Sequence, residues 1–310
     1  MKYVYIFLSL LVFANCNGQK NNSAETNGAA KEPTAFQLPT IPNLLTRSED
    51  RAAYLVQHYW DNFDFSDTAY IHLPAISEQA FVDYIDVLPY VPLQIASESI
   101  KDMLKQAEAD KKVYRYFTDL YEKYLYDANS PMRNDEFYIP VLEAELASPL
   151  TEEKIRPADL LQMAKKNRVG QSATNFSYTL TNGQKGALHT LKSLYTLLFF
   201  YNPGCHNCQE VTQQLQTSPV VNSFLKNHTL TVLAVYTDED LKAWRDYLPN
   251  MPKEWTVAYD DKKAILENDL YDLKAIPSLY LLDGDQKTVI LKDVDFAQVE
   301  NFFKSKLAEK

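Results

Sequence analysis

The sequence predicts two folded parts: an all-α domain over residues 46–168, then an α/β domain over 169–310 whose central mixed sheet is flanked by helices. Three observations carry this. Between 46 and 168, apolar residues recur at the 3.6-residue period of amphipathic helices. Beyond 195, short β-branched and aromatic runs alternate with helical segments, and two strands in succession precede a closing helix. Composition agrees: 46% of the 310 residues are hydrophobic and 13% aromatic, ample for two cores, while only seven glycines argue against a barrel or sandwich. The formal net charge of -10 leaves no basic patch for a phosphate backbone, so no nucleic-acid partner is expected.

Residues 1–15 read as a targeting segment, with Lys2 as its positive region and an apolar run over 3–14 broken only by Ser9. About 12 apolar residues are too few to span a bilayer, which takes about 20. Cys16 follows at once, and the arrangement resembles a bacterial lipoprotein cleavage site. The resemblance implies that Cys16 is the lipid anchor of the mature chain and the membrane a partner through that lipid. Asn15 departs from the small residue usual before such a cysteine, and secretion into the periplasm is the alternative. Asn17 resembles the residue found in lipoproteins sent on to an outer membrane. Residues 16–45 open as a small, polar stretch without hydrophobic period, expected to be a flexible tether.

Within 46–168, Ala52, Leu55, Val56 and Tyr59 mark a helix after Ser48, and Phe81, Tyr84, Ile85 and Leu88 another after Ser77. Ile100, Met103 and Leu104 mark a third, 113–125 a fourth, 138–146 a fifth with Pro140 early in it, and 158–166 a sixth. His58 and His72 lack the spaced partners of a metal site and are expected to be packing or surface residues. The tyrosines at helical spacing read as core rather than as a ligand groove.

The chemistry gathers at 195–211, YTLLFFYNPGCHNCQEV. The apolar run 197–201 has the character of a strand buried on both faces. Asn202, Pro203 and Gly204 then form a turn, and a long helical pattern starts at Cys205 and continues through Val211, Leu215, Val220, Val221, Phe224 and Leu225. Cys205 is thus expected at a helix N-terminus, where exposed N–H groups favour an anion, and is a candidate thiolate nucleophile. Cys208, three residues on, shares its helix face and lies within reach of a disulfide. Zinc would need further ligands that the one remaining cysteine, Cys16, and the scattered histidines do not supply, so no metal is expected. A static disulfide closing so small a loop would stabilise little. A protonated His206 beside Cys205 could stabilise a thiolate; a solvated loop histidine is the alternative.

This strand, the C-x-x-C helix start and a later run from Lys274 through Ile276, Pro277 and Ser278 to Asp283 resemble the thioredoxin superfamily over roughly 169–306. Residues Val169-Gly170-Gln171 and Asn175-Phe176-Ser177-Tyr178 further resemble its TlpA-like envelope branch, which carries an extra N-terminal hairpin. The resemblance implies that Pro277 is cis, packs against the redox pair and shapes a client groove. Further strands are expected at 229–236, 255–259, 278–282 and 288–291. Helices are expected at 238–248, 262–271 and, closing the chain, on Phe296, Val299, Phe302 and Phe303. The chain departs from the family where thioredoxins bury an aspartate, here Phe199, and where some envelope relatives carry a glutamate, here Val211. No proton acceptor carries over.

The implied activity is that of a membrane-anchored thiol:disulfide oxidoreductase of the bacterial envelope, a reductase or isomerase, using Cys205 and Cys208 as its redox disulfide and no cofactor. Its expected partners are client proteins with disulfides and an upstream electron donor. A thioredoxin-fold peroxidase is disfavoured because Leu198 and Asn202 stand where that family carries Pro and Thr. The non-enzymatic alternative is an interaction lipoprotein with an incidental thioredoxin-like site. The segment 46–168 resembles the helical N-terminal domain of certain envelope lipoproteins, a domain without an assigned function; partner recognition or dimerisation is the expected role.

Overall fold

A computed structural model describes residues 35–309; the expected signal peptide, Cys16 and most of the tether lie outside the described residues. Six α-helices come first: α1 (Ser48–His58), α2 (Glu78–Val87), α3 (Leu93–Ala107), α4 (Lys111–Tyr121), α5 (Asp135–Ala147) and α6 (Ile155–Ala164). Their apolar faces meet in one core that runs from Val56 to Ala164 and is dense in rings, with Tyr59, Tyr84, Phe117 and Tyr121 all buried. Buried hydroxyls there are satisfied internally. Tyr84 shares a 2.7 Å hydrogen bond with Ser99, and Tyr59 donates to the Ala80 carbonyl at 2.9 Å. His58 pairs with Asp61 at 2.8 Å on the surface and His72 is exposed, so neither acts as a buried ligand.

Several helix limits differ from the sequence expectation for local reasons. Neither Ser48 nor Ser77 caps a helix through its side chain: α1 starts at Ser48 itself, and the Ser77 hydroxyl is engaged with Tyr116 at 2.8 Å. The fourth helix gives way after Tyr121 to a π-helical turn, Glu122–Tyr126. The fifth begins three residues earlier than expected, because the Asn134 side chain accepts the N–H groups of Glu136 and Phe137 at 3.0 and 3.3 Å. Pro140 therefore stands in the interior of α5.

The remaining chain builds a seven-stranded mixed sheet in the order β2-β1-β5-β4-β3-β6-β7. Its strands are β1 (Ser177–Leu180), β2 (Lys185–Ala187), β3 (Tyr195–Tyr201), β4 (Leu230–Tyr236), β5 (Thr256–Tyr259), β6 (Ser278–Asp283) and β7 (Thr288–Val294). Residues alternate between two cores: Leu197, Phe199 and Tyr201 face one side of β3 and Leu198 and Phe200 the other. All five are at most 1% exposed, and each contributes about 1.5–3 kcal/mol by burial, so this strand is fixed firmly. β3 pairs with β4 in parallel and with β6 antiparallel. The β1–β2 hairpin extends the sheet beyond β5.

Helices α7 (His206–Thr217), α8 (Pro219–Lys226), α9 (Leu241–Tyr247) and α11 (Phe296–Ala308) flank the sheet, and α10 (Ala264–Glu267) is a single turn. The long helix expected from Cys205 is in fact two, α7 and α8. Pro219 cannot continue α7, and Ser218 between them accepts the Val221 N–H at 3.2 Å to start α8. The helix expected over 262–271 shrinks to α10. Asp260 supplies its start, accepting the Ile265 N–H at 2.7 Å, and Asp269 turns out at φ 49° soon after.

Candidate redox site

Register explains why two segments 70 residues apart meet. In the antiparallel β3–β6 pair, Phe200 stands opposite Ser278, so the turn that leaves β3 lies beside the residues that enter β6. The first carries Cys205 and the second carries Ile276 and Pro277, joined by a cis peptide bond. Gly204, at φ 78°, supplies the left-handed turn that lets the chain reverse into α7.

Cys205 is the N-cap of α7. Its sulfur accepts the backbone N–H of Cys208 at 3.2 Å and approaches the Ile276 carbonyl oxygen at 3.7 Å as a donor. The residue is partly exposed, whereas Cys208, one turn deeper, is 1% exposed and packed in the core beneath α7. Both are free thiols. Burial pushes the Cys208 thiol far up from its ordinary range, and the neighbouring Cys205 adds to this. The two sulfurs thus occupy different environments, one open to an incoming disulfide and one held protonated behind it.

His206 projects into solvent and pairs with Glu210 at 3.1 Å, one helical turn on. Phe199, in the place of a buried aspartate, packs against Tyr201 and Trp255. Pro277 is half-buried in the loop before β6.

Sequence reasoning did not single out the polar aromatics behind the pair. Trp244 of α9 donates to the Tyr201 hydroxyl at 2.9 Å. Burial, against the Trp244 hydrogen bond and with smaller help from Tyr247, Tyr236 and Cys208, holds the Tyr201 phenol in its neutral form; Tyr247 is likewise raised by burial and by both cysteines. Asn202 in the turn has its side-chain oxygen buried without a hydrogen-bond partner. These residues come from three elements, and no local motif announced them.

Comparison with known proteins fits this geometry. The family model described as "Thioredoxin-like" matches residues 194–288, and the one described as "Domain of unknown function (DUF5106)" matches 15–167. A solved thioredoxin-like protein from Bacteroides caccae is 51% identical, with a TM-score of 0.85, covering 88% of this chain and 99% of its own. The C-terminal domain of an uncharacterised protein from Bacteroides fragilis is 48% identical over 44% of this chain and 98% of its own, TM-score 0.44. A domain of a possible thiol-disulfide isomerase from Cytophaga hutchinsonii is 25% identical over 47% of this chain and 99% of its own, TM-score 0.38. No curated protein matches. With its thiol pair at the start of a helix that leaves a buried strand, a cis-proline loop beside it and a near-full-length relative of the same kind, the chain belongs to the thioredoxin superfamily, its thioredoxin fold preceded by a helical domain of unassigned function.

Proposed function

We propose that the protein is an envelope thiol:disulfide oxidoreductase acting as a reductase or isomerase. The observation that carries this is the asymmetry of the pair: an accessible Cys205 sulfur at a helix N-terminus, with Cys208 buried one turn behind. Cys205, as thiolate, attacks one sulfur of a client disulfide; that bond breaks, its other sulfur leaves with a proton, and a mixed disulfide forms. Cys208 then loses its proton and attacks Cys205, releasing the second client thiol. The client has gained two electrons and the protein keeps a Cys205–Cys208 disulfide. A dithiol donor returns the pair to its reduced form. Pro277 borders the groove that receives the client, and His206 acts on the field around Cys205 when protonated.

Reduction of insulin disulfides by the reduced chain, followed by turbidity with a dithiol donor present, tests this directly. Wild type should accelerate precipitation and Cys205→Ser should not. Equal rates for the two would remove the activity and favour an interaction lipoprotein with an incidental redox site.

The anchor belongs to the same proposal. It is supported by the apolar run over 3–14 that precedes Cys16. Expressed in a bacterium, wild type should partition into the membrane fraction, the outer membrane by preference, while Cys16→Ser stays soluble or unprocessed. Equal partitioning of wild type and Cys16→Ser into the membrane fraction would remove the lipid anchor.

A further inference from the structure

Charged contacts between the helical segment and the sheet converge on the two flanks of Pro277. On the N-terminal flank, Lys274 Nζ lies 2.9 Å from Asp272 and 3.5 Å from Asp135, and sits 4.1 Å from the centroid of the Tyr126 ring. Asp135, the first residue of α5, also receives Lys292 Nζ of β7 at 2.8 Å. On the C-terminal flank, Ser278 donates to Asp293 at 2.6 Å. Arg133 grips Asp293 twice, its carboxylate at 2.8 Å and its backbone carbonyl at 3.0 Å, and is itself tied to the Ala128 carbonyl at 2.8 Å.

These groups are shielded. Asp135, Lys274 and Lys292 have side chains only 13, 12 and 7% exposed, whereas Lys123 of the nearby Lys123–Glu78 pair is 59% exposed. Burial opposes ionisation of Asp135, yet Lys292 and Lys274 outweigh it and hold its carboxyl below the usual range. Asp293 adopts φ 50°, a backbone region uncommon outside glycine, and its partners keep it there. The loop between Lys274 and Ser278 is therefore tied to the helical segment at both ends, directly through Asp135 at Lys274 and, by way of Asp293 of β7, through Arg133 at Ser278.

We propose that Asp135 and Arg133 are positioning residues for the redox centre: from the helical segment they hold both flanks of the Pro277 loop and so fix the Ile276 carbonyl against the Cys205 sulfur. This rests on Cys205 being the reacting thiol. The carbonyl accepts the S–H and favours the protonated sulfur; the Cys208 N–H favours an anionic one. A loop free to draw back loses the first contact and keeps the second, which belongs to the start of α7. Cys205 then becomes more nucleophilic. A contact that only docked two cores together would change melting and leave the sulfur's reactivity alone.

The test measures, on the reduced full chain at one fixed pH, the second-order rate of Cys205 alkylation by iodoacetamide, located by peptide mass spectrometry. Asp135→Asn and, separately, Lys274→Met should each raise the rate about five-fold. Lys123→Met, which opens an exposed pair, should leave it unchanged. If Asp135→Asn does not fold, Lys274→Met decides, because it leaves Asp135 paired with Lys292. A folded Lys274→Met protein alkylated at the wild-type rate overturns the proposal. Insulin reduction is read alongside: disulfide reduction by wild type with an unresponsive Cys205 removes the positioning role alone, and a responsive Cys205 without disulfide reduction removes the oxidoreductase reading alone.

Discussion

At the scale of single residues, the division of labour within the pair follows from depth along one helix turn. Cys205 was legible in the sequence because everything that defines it is local: a buried strand, three turn formers and a helical period that starts at the cysteine itself. The residues around Cys208 were not, since Tyr201, Trp244 and Tyr247 come from β3 and α9 and meet only through sheet packing. Replacing Cys208 with Ser should remove the resolving thiol and leave Cys205 joined to clients as reducible adducts, visible on non-reducing gels. Cys205→Ser should trap almost nothing, because the remaining sulfur is buried and held protonated. Adducts on Cys205→Ser and none on Cys208→Ser would reverse the two roles.

At the scale of elements, hydrophobic period located the helices of the N-terminal segment and the strands from β3 on, the β1–β2 hairpin came only with the family resemblance, and the misses among helices arose where capping or proline chemistry overrides period. The run from Val211 to Leu225 reads as one stripe, yet Pro219 divides it because a proline lacks the N–H that α7 would need there. In the case of α5, the short amide of Asn134 set the start, and this placed Asp135 on the first turn. The same helix carries an element-level prediction at its other end. Burial, and then Glu122, raises the Glu145 carboxyl to about 7. A folded-state pKa above the unfolded value of about 4.3 contributes stability in full below pH 4.3 or so, and that contribution is lost as pH rises through 7. Glu145→Gln should therefore be more stable than wild type by roughly 2 kcal/mol at pH 8 and nearly equal to it at pH 4.5. Urea melts at the two pH values check this; an equal difference at both would show that the carboxyl is not perturbed.

At the scale of the whole molecule, the chain from Ala35 on is one compact unit although its apolar residues divide into separate cores, one of them wholly within the helical segment. Polar contacts supply much of the junction: Asp135 with Lys274 and Lys292, Arg133 with Asp293, and Asn167 with the Leu270 carbonyl at 2.8 Å. None of this could be read in advance, because Asp135 and Lys274 are 139 residues apart and a lone charge looks the same in sequence whether it ends in solvent or in a junction. The energetic consequence is lopsided. A buried ion pair adds little net stability over an apolar pair, since desolvation offsets its attraction, but removing one partner strands the other and costs about 3–5 kcal/mol. Asp135→Asn strands Lys292, whose side chain is 7% exposed and whose only carboxylate partner among the described residues is Asp135; it also donates to the Ala164 and Lys166 carbonyls, both at 2.9 Å. That variant should lose stability on this scale in urea melts, whereas Lys123→Gln at an exposed pair should lose under about 1 kcal/mol. Similar losses for the two would mean that the junction is as open to water as the surface, and would weaken the case that the helical segment holds the thioredoxin fold through buried charge.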